Sequence, residues 1–269
     1  LINNHFTIDA RASRINSDGY IDRAKSNLNS FYVAGGYYGK KTSIKAIMFS
    51  GWEKTYQAWN YVLQDSIKNG NRTDNSCGTY YDANGNIKYY DNETDNYRQD
   101  NYQLHFIHAF SNKLTVNVTG HYTKGKGYYE QYKQGQSLND YKMPNVITAH
   151  DTITSTDLIR RKWLDNDFTG VIGNINYKPN TLLSFVLGGG YNTYLGRHYG
   201  EVIWAQFSDV NNFKPRYYDD KATKTDGNVY LKTTIRPTDK LTAFIDLQYR
   251  SVNYDFYGYD TSLIEKKQV

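Results

Sequence analysis

The residues able to do chemistry in this chain are few and scattered. Of the six histidines, His105 and His108 are three apart. On a strand that spacing sends them to opposite faces, so the two cannot jointly hold one metal. His5, His121, His150 and His198 fall in separate segments. Asp82-Ala83-Asn84-Gly85-Asn86 alternates oxygens like the opening of a calcium loop, but the twelfth position is Glu93 in the context Asn92-Glu93-Thr94. The same residues fit an Asn-Gly turn between Tyr80-Tyr81 and Tyr89-Tyr90, which is the expectation taken. Cys77 is alone, so the chain has neither a disulfide framework nor a metal quartet, and its thiol reads as exposed in a loop. No nucleophile elbow, paired carboxylates or phosphate loop is present. Gly125-Lys126-Gly127 and Gly188-Gly189-Gly190 fall in strand-like runs where glycine relieves crowding. The expectation is a protein that is not an enzyme and carries no cofactor.

Aromatic residues are the richer signal. The chain has 28 tyrosines in 269 residues. Trp59, Tyr80, Tyr81, Tyr128, Tyr129, Trp204, Tyr217 and Tyr218 sit in long Asn-, Asp-, Tyr- and Gly-rich stretches beside Asp and Arg, and form the expected ligand-contacting set. The alternative is that these stretches only pack on one another as a cap. Tyr37, Tyr38, Trp52, Tyr56, Tyr122, Tyr177, Tyr191 and Tyr249 lie near strand ends, where membrane-interface aromatics belong; plain β propensity would also place them there.

The elements that position these residues are strands. In 113–123, Leu114, Val116, Val118, Gly120 and Tyr122 alternate with Thr115, Asn117, Thr119, His121 and Thr123. Leu241, Ala243, Ile245, Leu247 and Tyr249 alternate in the same way with Asp246, Gln248 and Arg250, and Val229 and Leu231 alternate with Lys232. Asp9, Arg11, Lys232, Asp246 and Arg250 all fall on the polar set. A dry core would not hold so many charges, so that face must look onto water.

About nine strands follow, at 5–13, 27–38, 42–56, 98–110, 113–126, 161–178, 181–197, 227–236 and 240–257, with the fold class all-β, an antiparallel up-and-down meander. Strand 161–178 breaks parity at Phe168 and Ile172, which suggests a bulge. Gly39-Lys40-Lys41, Ser111-Asn112-Lys113, Lys178-Pro179-Asn180 and Pro237-Thr238-Asp239 close one end tightly, whereas the other end returns through 14–26, 57–97, 127–160 and 199–226. An outer-membrane barrel has this asymmetry, with short turns inside and long loops outside. No stretch approaches the roughly 18 apolar residues of a membrane helix. The formal charge of +5 shows no Lys/Arg run of the nucleic-acid-binding kind.

The odd strand count, the absence of a secretory signal and an end at Lys266-Lys267-Gln268-Val269, read as loop, suggest a fragment of one barrel domain spanning 1–269. A full barrel of about 22 strands at this spacing would need on the order of 650 residues.

Asp95-Asn96-Tyr97-Arg98-Gln99-Asp100-Asn101-Tyr102-Gln103-Leu104-His105-Phe106 and His121-Tyr122-Thr123-Lys124-Gly125-Lys126-Gly127-Tyr128-Tyr129-Glu130-Gln131-Tyr132 resemble the mid-barrel of TonB-dependent outer-membrane receptors. Residues 14–23 and 158–168 resemble further blocks of the same barrel. The resemblance implies a 22-stranded partial transmembrane β-barrel plugged by a separate globular domain. It also implies outer-membrane lipid around the barrel, TonB acting through the plug, and uptake of a scarce extracellular ligand such as a ferric siderophore, cobalamin, haem or a glycan. The competing expectation is a soluble all-β module that binds surface glycans or adheres; there the apolar face would meet a second sheet.

Overall fold

A computed structural model of the chain describes residues 2–209, 216–259 and 265–268. Its strands run in chain order as β1 (Phe6–Ser17), β2 (Ser26–Tyr38), β3 (Thr42–Tyr56), β4 (Thr79–Tyr81), β5 (Ile87–Tyr89), β6 (Thr94–Ser111), β7 (Leu114–Ser137), β8 (Val146–Ile147), β9 (Thr152–Ile153), β10 (Ser155–Tyr177), β11 (Leu183–Ala205), β12 (Arg216–Thr238), β13 (Leu241–Tyr259) and β14 (Glu265–Gln268). One sheet holds ten of them in the order β1-β2-β3-β6-β7-β10-β11-β12-β13-β14, each antiparallel to its neighbour in the chain path. The pairs β4-β5 and β8-β9 are small separate hairpins. The meander and its nine long strands are those read from the alternation.

Register makes the two faces explicit. Phe6, Tyr37, Ile44, Phe106, Val118, Gly173, Gly189, Val229 and Tyr249 form one cross-strand row, and Val116, Ile175, Leu187, Leu231 and Leu247 form another on the same face. This apolar face is left open: Ile8 is 71% exposed and Leu247 64%. The described residues hold no second sheet over it, so the layer a soluble sandwich needs is not there. The other face is a polar lattice. Asn117 donates to Asn174 at 2.7 Å, a ring nitrogen of His121 meets Asn192 at 2.8 Å, Lys232 pairs with Asp246 at 3.6 Å, and Arg250 pairs with Asp226. A groove of about 600 Å³, lined from five consecutive strands by Tyr97, Thr123, Phe168, Tyr194 and Asp226 among others, opens on this face.

Four expectations are corrected. The strands run well past the predicted loop boundaries: β7 continues to Ser137, β10 begins at Ser155, β11 reaches Ala205 and β12 starts at Arg216. There the simple alternation of apolar and polar residues stops while the ladder goes on, sustained by strand partners on both sides and by segments that bury Glu130, Thr156 and Leu158. Residues 210–215 of the predicted fourth loop lie outside the described residues. Phe168 and Ile172 stay in register on the polar face, opposite Thr123 and Thr119; the irregularities fall earlier, at Thr156/Leu158 and Ile159/Arg160. Residues 265–268, expected as loop, pair with β13; Val269 lies outside the described residues. Cys77 is buried at 6% exposure, because the loop around it folds inward.

Candidate ligand-binding site

The site grows from an unequal pairing. β6 ends its ladder on β7 at the pair Asp95 and Tyr129, while β7 runs eight residues further, to Ser137. The free edge of β7 would expose unpaired backbone groups. Residues 57–93 fold back and cover it. Gln57 donates to the carbonyl of Glu130 at 3.0 Å, the Tyr132 amide donates to Glu93 at 3.0 Å, and Gln134 exchanges hydrogen bonds with the backbone of Tyr81. Asn75, 2% exposed, donates to the carbonyls of Asp22 and Gln57, and Arg23 lies 3.6 Å over the Tyr89 ring. Asp82 accepts the amides of Asn84 and Asn86, so the acidic stretch is the expected turn between β4 and β5. Residues 138–154 pack similarly: Leu138, Tyr141 and Met143 form a small core with Leu158, Val202 and Tyr217.

On the polar side of this rim three cations gather. Lys133, Arg160 and Lys162 fall on one face, because Leu158, Arg160 and Lys162 pair with Lys133, Gln131 and Tyr129 in turn. Arg160 is held by neutral partners: its Nε and Nη2 donate to Gln131 at 3.2 and 2.8 Å, and its Nη1 donates to the Tyr141 hydroxyl at 3.0 Å. Lys162 lies between the rings of Tyr218 and Tyr129, 5.8 and 6.0 Å from their centroids. Burial lowers the Lys162 ammonium, helped by Arg160 and Lys133. Lys133 is lowered by burial and by Arg160, with Glu93 opposing. Trp59 meets Tyr129 edge to face at 4.9 Å. Asp95 beside them is pushed up to about 6 by burial and by Glu53, against a hydrogen bond from Trp59.

The eight residues expected to contact ligand do not form one site. Tyr128, Tyr129, Trp204, Tyr217 and Tyr218 lie on strands, and only Trp59, Tyr80 and Tyr81 belong to the loop region and its short hairpin. Alternation then divides them. Tyr128 packs at a tilt against Trp163 at 4.5 Å, and Trp163 stacks on Tyr199 at 5.6 Å, on the continuation of the apolar face. Tyr80 and Trp204 share that side through Tyr132, at 4.7 and 6.4 Å. Tyr81 is 54% exposed on its hairpin. Trp59, Tyr129 and Tyr218 line the polar side together, and Tyr217 is sealed beneath them at 2% exposure. The cation cluster lies outside the aromatic set expected from the sequence, although Arg160-Arg161-Lys162 carries its signal: period two sends Arg160 and Lys162 one way and Arg161 the other. Among the described residues no three His, Cys, Asp or Glu side chains cluster to hold a metal.

No family profile and no characterised protein sequence matches the chain. Solved structures do. The unliganded ferric citrate transporter FecA matches with a TM-score of 0.67 at 11% identity, over 98% of this chain and 35% of that one. The ferric-catecholate import receptor Fiu of E. coli K12, in its open form, gives 0.63 at 11%, over 96% and 42%. The ferric preacinetobactin receptor BauA of Acinetobacter baumannii gives 0.60 at 10%, over 99% and 39%. The chain therefore has the fold of part of a TonB-dependent receptor barrel, and it spans well under half the length of the proteins it matches. Identities this low establish the fold and leave the ligand open.

Proposed function

We propose that the chain is a run of barrel wall from an outer-membrane TonB-dependent receptor that takes up a scarce extracellular ligand. The observation that carries this reading is the uncovered apolar face. It spans the long strands in register, with tight turns at 39–41, 112–113, 178–182 and 239–240 along one edge and the built-up rim along the other. Water would penalise such a face heavily, while lipid suits it. The matched proteins transport or receive ferric citrate, ferric catecholates and ferric preacinetobactin, which supports an iron chelate as cargo. Ligand contact then belongs to the polar-side rim, with Trp59, Tyr129 and Tyr218, and energy reaches the barrel through TonB and a plug domain.

The test is surface topology joined to uptake in cells making the parent protein. Asn84→Cys, in the turn between β4 and β5, should react with a membrane-impermeant maleimide on intact cells, and Asn112→Cys, in a tight turn, only after lysis. Deleting 66–92 should reduce iron-chelate uptake while the barrel keeps its heat-resistant gel mobility. Equal labelling of both cysteines would sink the reading.

A further inference from the structure

Resting on the receptor reading above, we propose that the polar-side rim binds a small, multiply charged anion, a carboxylate- or catecholate-bearing metal chelate, through Arg160, Lys162 and Lys133.

The charge of these three side chains is uncompensated. Neighbouring cations on these strands are matched: Arg161 pairs with Glu130 at 2.7 Å, Arg197 with Asp219 at 2.5 Å, and Lys124 with Asp165 at 2.6 Å. Among the described residues Arg160, Lys162 and Lys133 have no carboxylate within 4 Å. Glu93 is an acid whose field reaches Lys133 and Arg160, but the residue is only 4% exposed and its carboxylate already accepts the Tyr132 amide. Three like charges on one face, at diagonal and next-but-one positions of neighbouring strands, repel one another, and partial burial adds to the cost. An anion from outside would offset both.

The surroundings set what kind of anion fits. Gln131 and Tyr141 fix the Arg160 fork without neutralising it. The rings of Tyr129 and Tyr218 flank Lys162 and offer flat apolar walls, as planar ligand groups require. Below them the Tyr217 hydroxyl is buried with no hydrogen-bond partner among the described residues, within the field of Arg160. A fork, two ammonium groups and aromatic walls together favour planar oxyanions over neutral polyols.

The experiment uses the parent protein in detergent, followed by quenching of tryptophan fluorescence. Three probes are titrated: ferric citrate, a triply anionic ferric tricatecholate, and a neutral ferric trihydroxamate. At least one anionic chelate should bind, and more weakly as salt is raised. The double variant Arg160→Gln/Lys162→Gln should weaken it about ten-fold or more, while Lys232→Gln near the tight turns leaves it unchanged. Whether citrate or catecholate binds distinguishes the two sources. Heat-resistant gel mobility of the double variant confirms that it folds; if it does not, Lys133→Gln alone should weaken binding several-fold. Equal binding of the neutral complex, or binding indifferent to these substitutions, overturns the proposal while the receptor reading stands. Binding of none of the chelates overturns it as well, and absence of uptake in cells would then bring down the receptor reading too.

Discussion

The Nε of Arg161 lies 2.7 Å from Oε2 of Glu130, whose side chain is 2% exposed. The other carboxylate oxygen accepts the Tyr90 hydroxyl at 2.6 Å and the Asn92 amide at 2.5 Å. One buried acid thus ties β10, β7 and the end of the 57–93 segment together, on the side of the wall opposite the three unpaired cations.

Removing Arg161 should therefore do more harm than removing an exposed arginine. Arg161→Ala leaves a buried carboxylate with only neutral donors, at a cost of about 3 kcal/mol. Pulse proteolysis of the parent protein should show faster cutting within 57–93. A rate equal to that of the unchanged protein would mean that the pair contributes nothing.

Acidity should act on the same segment from two directions. Burial raises Glu130, but the Tyr90, Asn92 and Arg161 bonds outweigh it and hold the acid below its usual 4.5. Its contribution is present above that value and is lost as pH falls through the depressed one. Asp95 is raised from 3.8 to about 6, so its contribution is complete in acid and is lost as pH rises through about 6. Cutting within 57–93 should be slowest near pH 4, between the ordinary values of the two acids. Burial also raises Glu93 within the segment, so Asp95→Asn should reduce the loss on the alkaline side without removing it; an unchanged profile refutes the assignment.

A charge placed on the uncovered face should be costly. Val118→Arg in the parent barrel is expected to lose about 2 to 4 kcal/mol if lipid covers that row near the midplane. An unaltered denaturant midpoint in detergent or lipid would count against the apolar face meeting lipid.

Two glycines in one motif should respond differently. A Cβ at Gly127 would sit 2.2 Å from the carbonyl oxygen of Asn96 and 2.6 Å from the Cα of Tyr97, both backbone. At Gly125 the nearest atom is the Tyr97 hydroxyl, at the tip of a movable side chain. Gly127→Ala should cost about 1 to 3 kcal/mol and Gly125→Ala clearly less, with thermal melts of the two variants as the measurement. The reverse order would refute the close approach of β6 to β7.

The sequence by itself determined the all-β meander, the two faces and the tight turns. Side-chain alternation has a period of two, so Val118 and Asn117 reveal their sides without any partner in view, and Asn-Gly or Pro-Asn chemistry marks a turn locally. What only the tertiary structure decided is where the strands stop and which residues meet. Toward the rim, polar Glu130 and Thr156 are buried as well as apolar Leu158, so hydropathy no longer marks a strand, and hydrogen bonds to neighbours distant in sequence extend it to Ser137 and from Ser155. Trp59 reaches Tyr129 only because β6 ends early and leaves an edge to be covered. Lys133 joins Arg160 and Lys162 only through the register of two strands. Contacts of that kind depend on which partner each strand finds, which no local pattern encodes.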